Sequence, residues 1–174
     1  AAAYLRESTD AWNASIERWL YVEGTDVAQV HGVDGYYARV APPHSGDAAS
    51  PCHGFVPIKN RPPDQATGPA APMVSLDALA FVRFGLRAPD DPRMRNTVKV
   101  IDATLKVETP RGPAWHRYQG DAYGEHPDGS AYDGTGVGRA WPLLTGERAH
   151  YELAGGRLHA AELLGQAMET LAGD

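Results

Sequence analysis

Asp91-Pro92-Arg93-Met94-Arg95-Asn96-Thr97-Val98-Lys99-Val100-Ile101-Asp102-Ala103-Thr104-Leu105 is the stretch from which the fold can be read. An aspartate followed by proline is a helix start: the carboxylate accepts from the first free N–H groups, and Pro92 stands where a missing N–H costs nothing. Met94, Val98, Ile101 and Leu105 then recur at four, three and four residues, one face of a helix that runs on until Pro110.

Working outward, the same period returns on both sides. Ser75 caps a segment whose Leu76, Leu79, Val82 and Leu86 form a stripe, widened by Phe81 and Phe84, which predicts a largely buried helix. Leu5, Trp12, Ile16 and Trp19 share a face between Tyr4 and Leu20. Leu158, Ala161, Leu164, Met168 and Leu171 make a last amphipathic helix, and Val137 to Leu153 reads as helical in parts, broken at Pro142 and Gly146. Between Leu20 and Val40, the pieces Leu20–Val22 and Tyr36–Val40 are β-rich, separated by Gly24 and a Val33-Asp34-Gly35 turn, and predict a short antiparallel excursion. Ala41 to Pro72 is rich in Pro, Gly, Ala and Ser and reads as an extended connection, while Gly112 to Gly138 has no sustained period and reads as loop. The expectation is an all-α array of about five helices with long loops, in one domain over 1–174.

Composition narrows the function. With 16 Lys+Arg against 22 Asp+Glu, the net charge of −6 argues against a nucleic-acid groove or an anionic membrane face. No apolar run approaches the ~20 residues that span a bilayer. No charged-then-apolar leader is expected, and with Ala1-Ala2-Ala3-Tyr4 at one end and a helix-like Leu163–Ala172 run at the other, both ends have the character of cuts. Cys52 is the only cysteine, so no internal disulfide and no multi-Cys metal site can form; it is a small buried hydrophobe or a loop thiol.

The chemistry concentrates in Trp115-His116-Arg117-Tyr118-Gln119-Gly120-Asp121-Ala122-Tyr123-Gly124-Glu125-His126 and the following Asp128-Gly129-Ser130-Ala131-Tyr132-Asp133-Gly134-Thr135-Gly136. Aromatics, carboxylates, one arginine and several glycines alternate there. A pyranose offers C–H faces that pack on rings and hydroxyls that both donate and accept, so its site needs that mixture. Arg117 can donate two bonds to vicinal hydroxyls, with Asp121 or Asp133 accepting. The alternative is a Gly-rich loop whose carboxylates face water and whose aromatics anchor it to the helices. The saccharide reading requires the Arg117 guanidinium and the Tyr118 phenol to face one concavity.

Other constellations carry less. Asp121, Glu125, Asp128 and Asp133 could ligate calcium, but their spacing does not fit the twelve-residue calcium loop. His116 and His126 lack the cluster that zinc needs, and read as hydrogen-bonding residues. Ser75 and Ser130 lack a nucleophile-elbow context, and Gly134-Thr135-Gly136-Val137-Gly138 lacks the strand and lysine of a phosphate loop. Glu147 is a candidate acid or base, or a structural carboxylate paired with an arginine or a helix end. No metal and no cofactor is expected.

Ala11-Trp12 through Glu17-Arg18-Trp19, Gly35-Tyr36-Tyr37, Asp91-Pro92-Arg93 with Thr97-Val98-Lys99-Val100-Ile101-Asp102, Trp115-His116-Arg117-Tyr118, Asp121-Ala122-Tyr123-Gly124-Glu125, Asp133-Gly134-Thr135-Gly136 and Trp141-Pro142-Leu143-Leu144-Thr145-Gly146-Glu147-Arg148 together resemble the bacterial branch of glycoside hydrolase family 15, the glucoamylases and glucodextranases. These pieces run in family order across nearly the whole chain. The resemblance implies part of an (α/α)6 barrel whose loops at one end build a sugar pocket. It also implies an inverting, exo-acting hydrolysis of α-glucans with release of glucose.

By the same resemblance, Arg117 and Tyr118 match a pair that contacts glucose hydroxyls near the scissile bond. Tyr123 and Glu125 match the loop that follows, and Trp141 belongs to the Trp-Pro-Leu-Leu-Thr-Gly-Glu-Arg string. Tyr132 stands where the family more often has Trp, and Arg39 to Ala71 is longer than the usual connection. The Gln-(Met/Leu)-Asp-Glu string of the general acid and the Pro-Glu-Gln string of the general base are absent, so no catalytic residue is assigned. The expected substrate-binding set is Arg117, Tyr118, Asp121, Tyr123, Glu125, Tyr132, Asp133 and Trp141. The chain alone is expected to be inactive or nearly so, its partners being an α-glucan and either the remainder of the barrel or a second copy that covers apolar helix faces. An extracellular or periplasmic setting is what the resemblance favours. A carbohydrate-binding or assembly module without catalysis, and a trehalase-like member of the same family, are the alternatives.

Overall fold

A computed structural model describes residues 1–42 and 53–173. Cys52 and part of the long connection lie outside the described residues. The elements run α1 (Ala2–Leu20), β1 (Tyr21–Glu23), α2 (Asp26–His31), β2 (Gly35–Tyr37), β3 (Phe55–Pro57), β4 (Thr67–Pro69), α3 (Ala80–Arg83), α4 (Pro92–Leu105), β5 (Lys106–Thr109), β6 (Gly112–His116), β7 (Ala140–Trp141), α5 (Pro142–Ala154) and α6 (Leu158–Ala172). Helix dominates, and the strands are short.

Helix α4 is the centre. Asp91 caps it by accepting from the Arg93 N–H at 2.8 Å, and Pro92 opens it. Met94, Val98, Ile101 and Leu105 are all buried, as their spacing requires, together with Thr97 and Val100. They pack with Val22, Tyr36 and Tyr37 from β1 and β2, Leu76, Leu79 and Val82 around α3, and Trp115 and Tyr151 from β6 and α5. The expected antiparallel excursion is β1 against β2, with Val22 opposite Tyr36. The Thr97 hydroxyl accepts from the Tyr37 N–H at 2.9 Å and ties that ribbon to α4.

Several local expectations are corrected. The stretch between β1 and β2 holds a further helix, α2, capped by the Thr25 hydroxyl, which accepts from the Ala28 N–H at 3.0 Å. Ser75 does cap, but the helical segment is a 3₁₀ turn (Leu76–Leu79) running into α3, and it stops at Arg83. Gly85 takes φ 71° there and turns the chain, so Phe84 and Leu86 are exposed instead of extending the stripe. Gly112–His116, expected as loop, is the middle strand of a β5–β6–β7 sheet. Pro113 is tolerated in it because β7 pairs only with Trp115 and His116. Helix α5 is continuous from Pro142, which takes its first position, through Gly146. A Cβ on Gly146 would stand 2.6 Å from the Met168 Sδ, so this glycine lets α6 approach and does not break α5.

Helix α1 is amphipathic as expected, but no residue of it is buried: Ile16 and Leu20 pack against the core, while Tyr4, Leu5 and Trp12 are exposed. What holds α1 down is polar. Arg87 forks onto Glu17 through Nε and Nη2 at 2.6 and 2.9 Å, and the Tyr37 hydroxyl donates to the same carboxylate at 2.6 Å. Hydrogen bonds from Arg87 lead, against the opposing effect of burial, in holding the Glu17 carboxyl down at about 2.

Candidate functional site

The loop after β6 starts where the sheet delivers it. Trp115 is opposite Trp141 in the β6–β7 register, so residues distant in sequence meet at one edge. The Tyr118 backbone bridges Ser75, and the Gln119 N–H donates to the Val74 carbonyl at 3.1 Å, which fixes the turn that follows.

Arg117 then folds back onto Asp121. Its Nε and Nη2 donate to the two carboxylate oxygens, both at 2.7 Å, a bidentate pair. The Asp121 side chain is only 2 % exposed, whereas that of Arg117 is 32 % exposed. The Tyr123 N–H donates to Asp121 at 3.0 Å, and the Gly138 N–H donates to the Asp121 carbonyl at 3.0 Å. Burial alone would raise the Asp121 pKa, but the hydrogen bonds from Arg117 and the Tyr123 N–H hold it below the usual carboxylate value. The same pair pushes Arg117 up. Both groups are charged at neutral pH.

Three aromatic rings surround that guanidinium. Its central carbon lies 5.5 Å from the ring centre of Tyr118, 5.2 Å from Tyr123 and 5.3 Å from Trp141. Tyr123 and Trp141 are partly open to solvent. Among the described residues, Asp121 is the only hydrogen-bond partner of the Arg117 guanidinium. Two of the five N–H donors of Arg117 are committed to Asp121, and the three on the Nη1–Nη2 edge remain for donation to vicinal hydroxyls.

The other expected residues are dispersed around this group. The Tyr132 ring meets Tyr123 edge-on at 5.1 Å, and its hydroxyl donates to the Asn60 amide oxygen at 2.7 Å. Glu125 pairs with Arg139 at 3.0 Å, exposed on both sides. Asp133 accepts from the Thr135 N–H and hydroxyl at 3.1 and 3.0 Å and lies 3.2 Å from the His126 Nε2. The Thr135 bonds, with His126, hold its pKa down. A concavity of about 320 Å³ lies alongside, between Arg61, Pro62, Gln65, Asp121, His126 and Thr135. Arg117 and Tyr118 do not line that concavity, so it does not meet the requirement that the two face one hollow.

Three contacts were not foreseen. The Arg39 guanidinium carbon stands 3.9 Å from the Tyr118 ring centre, Arg61 Nε donates to the Gly120 carbonyl at 3.0 Å, and Asn60 receives Tyr132. All three come from the Arg39–Ala71 stretch, and nothing in its composition marks where it packs. Glu147, a candidate acid or base on sequence, is paired with Arg83.

No family model matches the chain. A curated glucoamylase from Clostridium sp. (strain G0005) is 37% identical over 177 residues, an alignment that takes in 100% of this chain and 23% of the relative. A solved bacterial glucoamylase complexed with acarbose superposes on 99% of this chain and 24% of its own, with a TM-score of 0.84 and 38% identity. The helical array described above thus corresponds to part of the glucoamylase (α/α)6 barrel. The chain is a glucoamylase-like family member that spans about a quarter of the length of the glucoamylases it matches.

Proposed function

We propose that this chain is a carboxy-proximal portion of an inverting, exo-acting α-glucan hydrolase and supplies part of its sugar-binding wall. The observation that carries the reading is the Arg117 group: a guanidinium pinned by a buried carboxylate, bracketed by three rings and left with one free donor edge. Rings take the C–H faces of a hexose and the guanidinium takes a hydroxyl. Arg117, Tyr118, Tyr123 and Trp141 form one side of the wall, and the hollow they face is closed by the remainder of the barrel. Asp121 acts from beneath it, by fixing Arg117, and Glu125, Tyr132 and Asp133 stand at its outer rim. The full enzyme's two carboxyl groups, one to protonate the leaving oxygen and one to activate water, come from outside this stretch.

The exposed apolar residues support a partner that completes the barrel. Tyr4, Leu5 and Trp12 on α1 and Leu158 and Leu163 on α6 lie open to solvent, faces that bury themselves in a larger assembly. Glucose release from maltose and dextrin separates the readings. Activity that appears only when the remaining portions of the enzyme are added supports the fragment; sugar binding by a stable monomer that no added portion activates supports a carbohydrate-binding module.

A further inference from the structure

Arg39 lies just beyond β2, where its backbone N–H donates to the Met73 carbonyl at 2.7 Å. At 3.9 Å from the Tyr118 ring centre, its guanidinium makes the closest cation–ring approach among the described residues. Its Nε is enclosed by protein and has no hydrogen-bond partner among the described residues. A fold retains a buried donor of that kind where something compensates it, and a flat guanidinium on a phenol face is such a compensation. Arg117 approaches the same ring at 5.5 Å, so two cations act on one phenol. The Tyr118 backbone is already fixed through Ser75. The Tyr118 hydroxyl faces Asp121, and Arg39 is the group packed most closely on the ring face.

We infer that Arg39 is a positioning residue for the saccharide site: stacked on Tyr118, it sets where the phenol hydroxyl stands relative to Arg117 without touching the sugar. The inference rests on the proposed function. It goes beyond it by making a side chain of the long connection part of the site's affinity.

The charged groups acting on Tyr118 are Asp121, Arg39 and Arg117. Burial and Asp121 raise its pKa, and the two arginines oppose them. Arg39→Met removes the cation while keeping the bulk, and Arg39→Lys keeps the charge without the flat stack. The phenol titration of Tyr118, followed by NMR on ring-labelled chain, should move further up in Arg39→Met and stay near the parent value in Arg39→Lys. Acarbose titration of the same chains, each completed with the remaining portions of the barrel, should show about a tenfold loss in Arg39→Met and a smaller loss in Arg39→Lys, with the thermal midpoint unchanged. An Arg39→Met chain with unaltered Tyr118 titration and unaltered acarbose affinity overturns the inference, and so does complete rescue of affinity by lysine. Failure of the parent chain, completed with the remaining portions of the barrel, to bind acarbose overturns the proposed function instead, while the Tyr118 titration still decides whether Arg39 acts on the ring. Should Arg39→Met fail to fold, Arg39→Gln, neutral but with a planar amide, takes its place in both measurements, with the same upward move of the Tyr118 titration and the same loss of affinity expected.

Discussion

Two arginines in this chain make nearly the same bidentate bond to an aspartate, and they stand in opposite surroundings. Arg148, on α5, donates through Nε and Nη2 to Asp102 at 2.9 and 2.7 Å, and its remaining Nη1 donates to Glu152 at 2.8 Å. Trp115 donates to the same Asp102 at 3.0 Å, and Arg157 closes the group on Glu152. The Arg148 side chain is 8 % exposed, against 32 % for Arg117. Burial works against its charge, yet Asp102 and Glu152 push its pKa up. Arg148 packs near Trp115 and Arg117 near Trp141, the two tryptophans being opposite one another in the sheet. The lesson lies in the third nitrogen: in Arg148 the protein has taken it, and in Arg117 it is open. A guanidinium consumed on every edge fastens α4, α5 and β6 together; one pinned on a single side presents the rest.

Removing each arginine should break that symmetry most visibly. Arg148→Met leaves Asp102 and Glu152 without their buried cation and should cost about 3–5 kcal/mol in denaturant unfolding. Arg117→Met leaves the buried Asp121 carboxylate without its cation but with the Tyr123 N–H, and should cost about 1–3 kcal/mol, less than Arg148→Met, while weakening acarbose binding at least about tenfold. Equal losses of stability would erase the distinction.

Gly138 offers a sharper cut at the open pair. Its N–H donates to the Asp121 carbonyl, and an added Cβ would stand 2.6 Å from the Asp121 Cβ and Cγ. Gly138→Ala should therefore displace Asp121, costing about 1–3 kcal/mol and weakening acarbose binding although no sugar-facing atom has changed. Unchanged affinity would show that Asp121 does not set the position of Arg117.

The Arg87–Glu17 fork is intermediate in exposure between the other two. Glu17 is held at about 2 against an ordinary 4.5, so its contribution is fully present above 4.5 and is lost as pH falls toward 2. Glu17→Gln should cost about 1–2 kcal/mol at neutral pH and flatten that acid limb, with α1 the first element to lose helix signal. An unaltered acid limb would remove Glu17 from the account. At the small end, Glu125→Gln and Asp133→Asn should leave the melting temperature unchanged and shift acarbose affinity by less than about threefold. A larger shift from either would move that residue from the rim into the wall.

The helices were readable where burial is periodic. Met94, Val98, Ile101 and Leu105 declare α4 because all four are buried on one side, and Asp91-Pro92 declares its start. Six-residue α2 is too short for a period to emerge, and β6 opens on Gly-Pro with only five residues, so alternation had no room to show. In the site, the residue types that suit a saccharide were visible as composition, but not which of them face outward. Asp121 and Asp133 are the same residue in the same loop; one is buried under Arg117 and the other exposed beside His126, and only tertiary packing distinguishes them. Arg39, Asn60 and Arg61 escaped because their partners lie across the sequence, in contacts that no local pattern announces.

Acarbose titration of this chain, completed with the remaining portions of the barrel, beside its Arg117→Met variant, with melting curves recorded on both, tests the central claim that the open guanidinium is a sugar contact. The account predicts saturable binding by the parent, a loss of at least about tenfold in the variant, and a variant that melts somewhat lower but stays folded throughout the titration. Undiminished binding by Arg117→Met would contradict it.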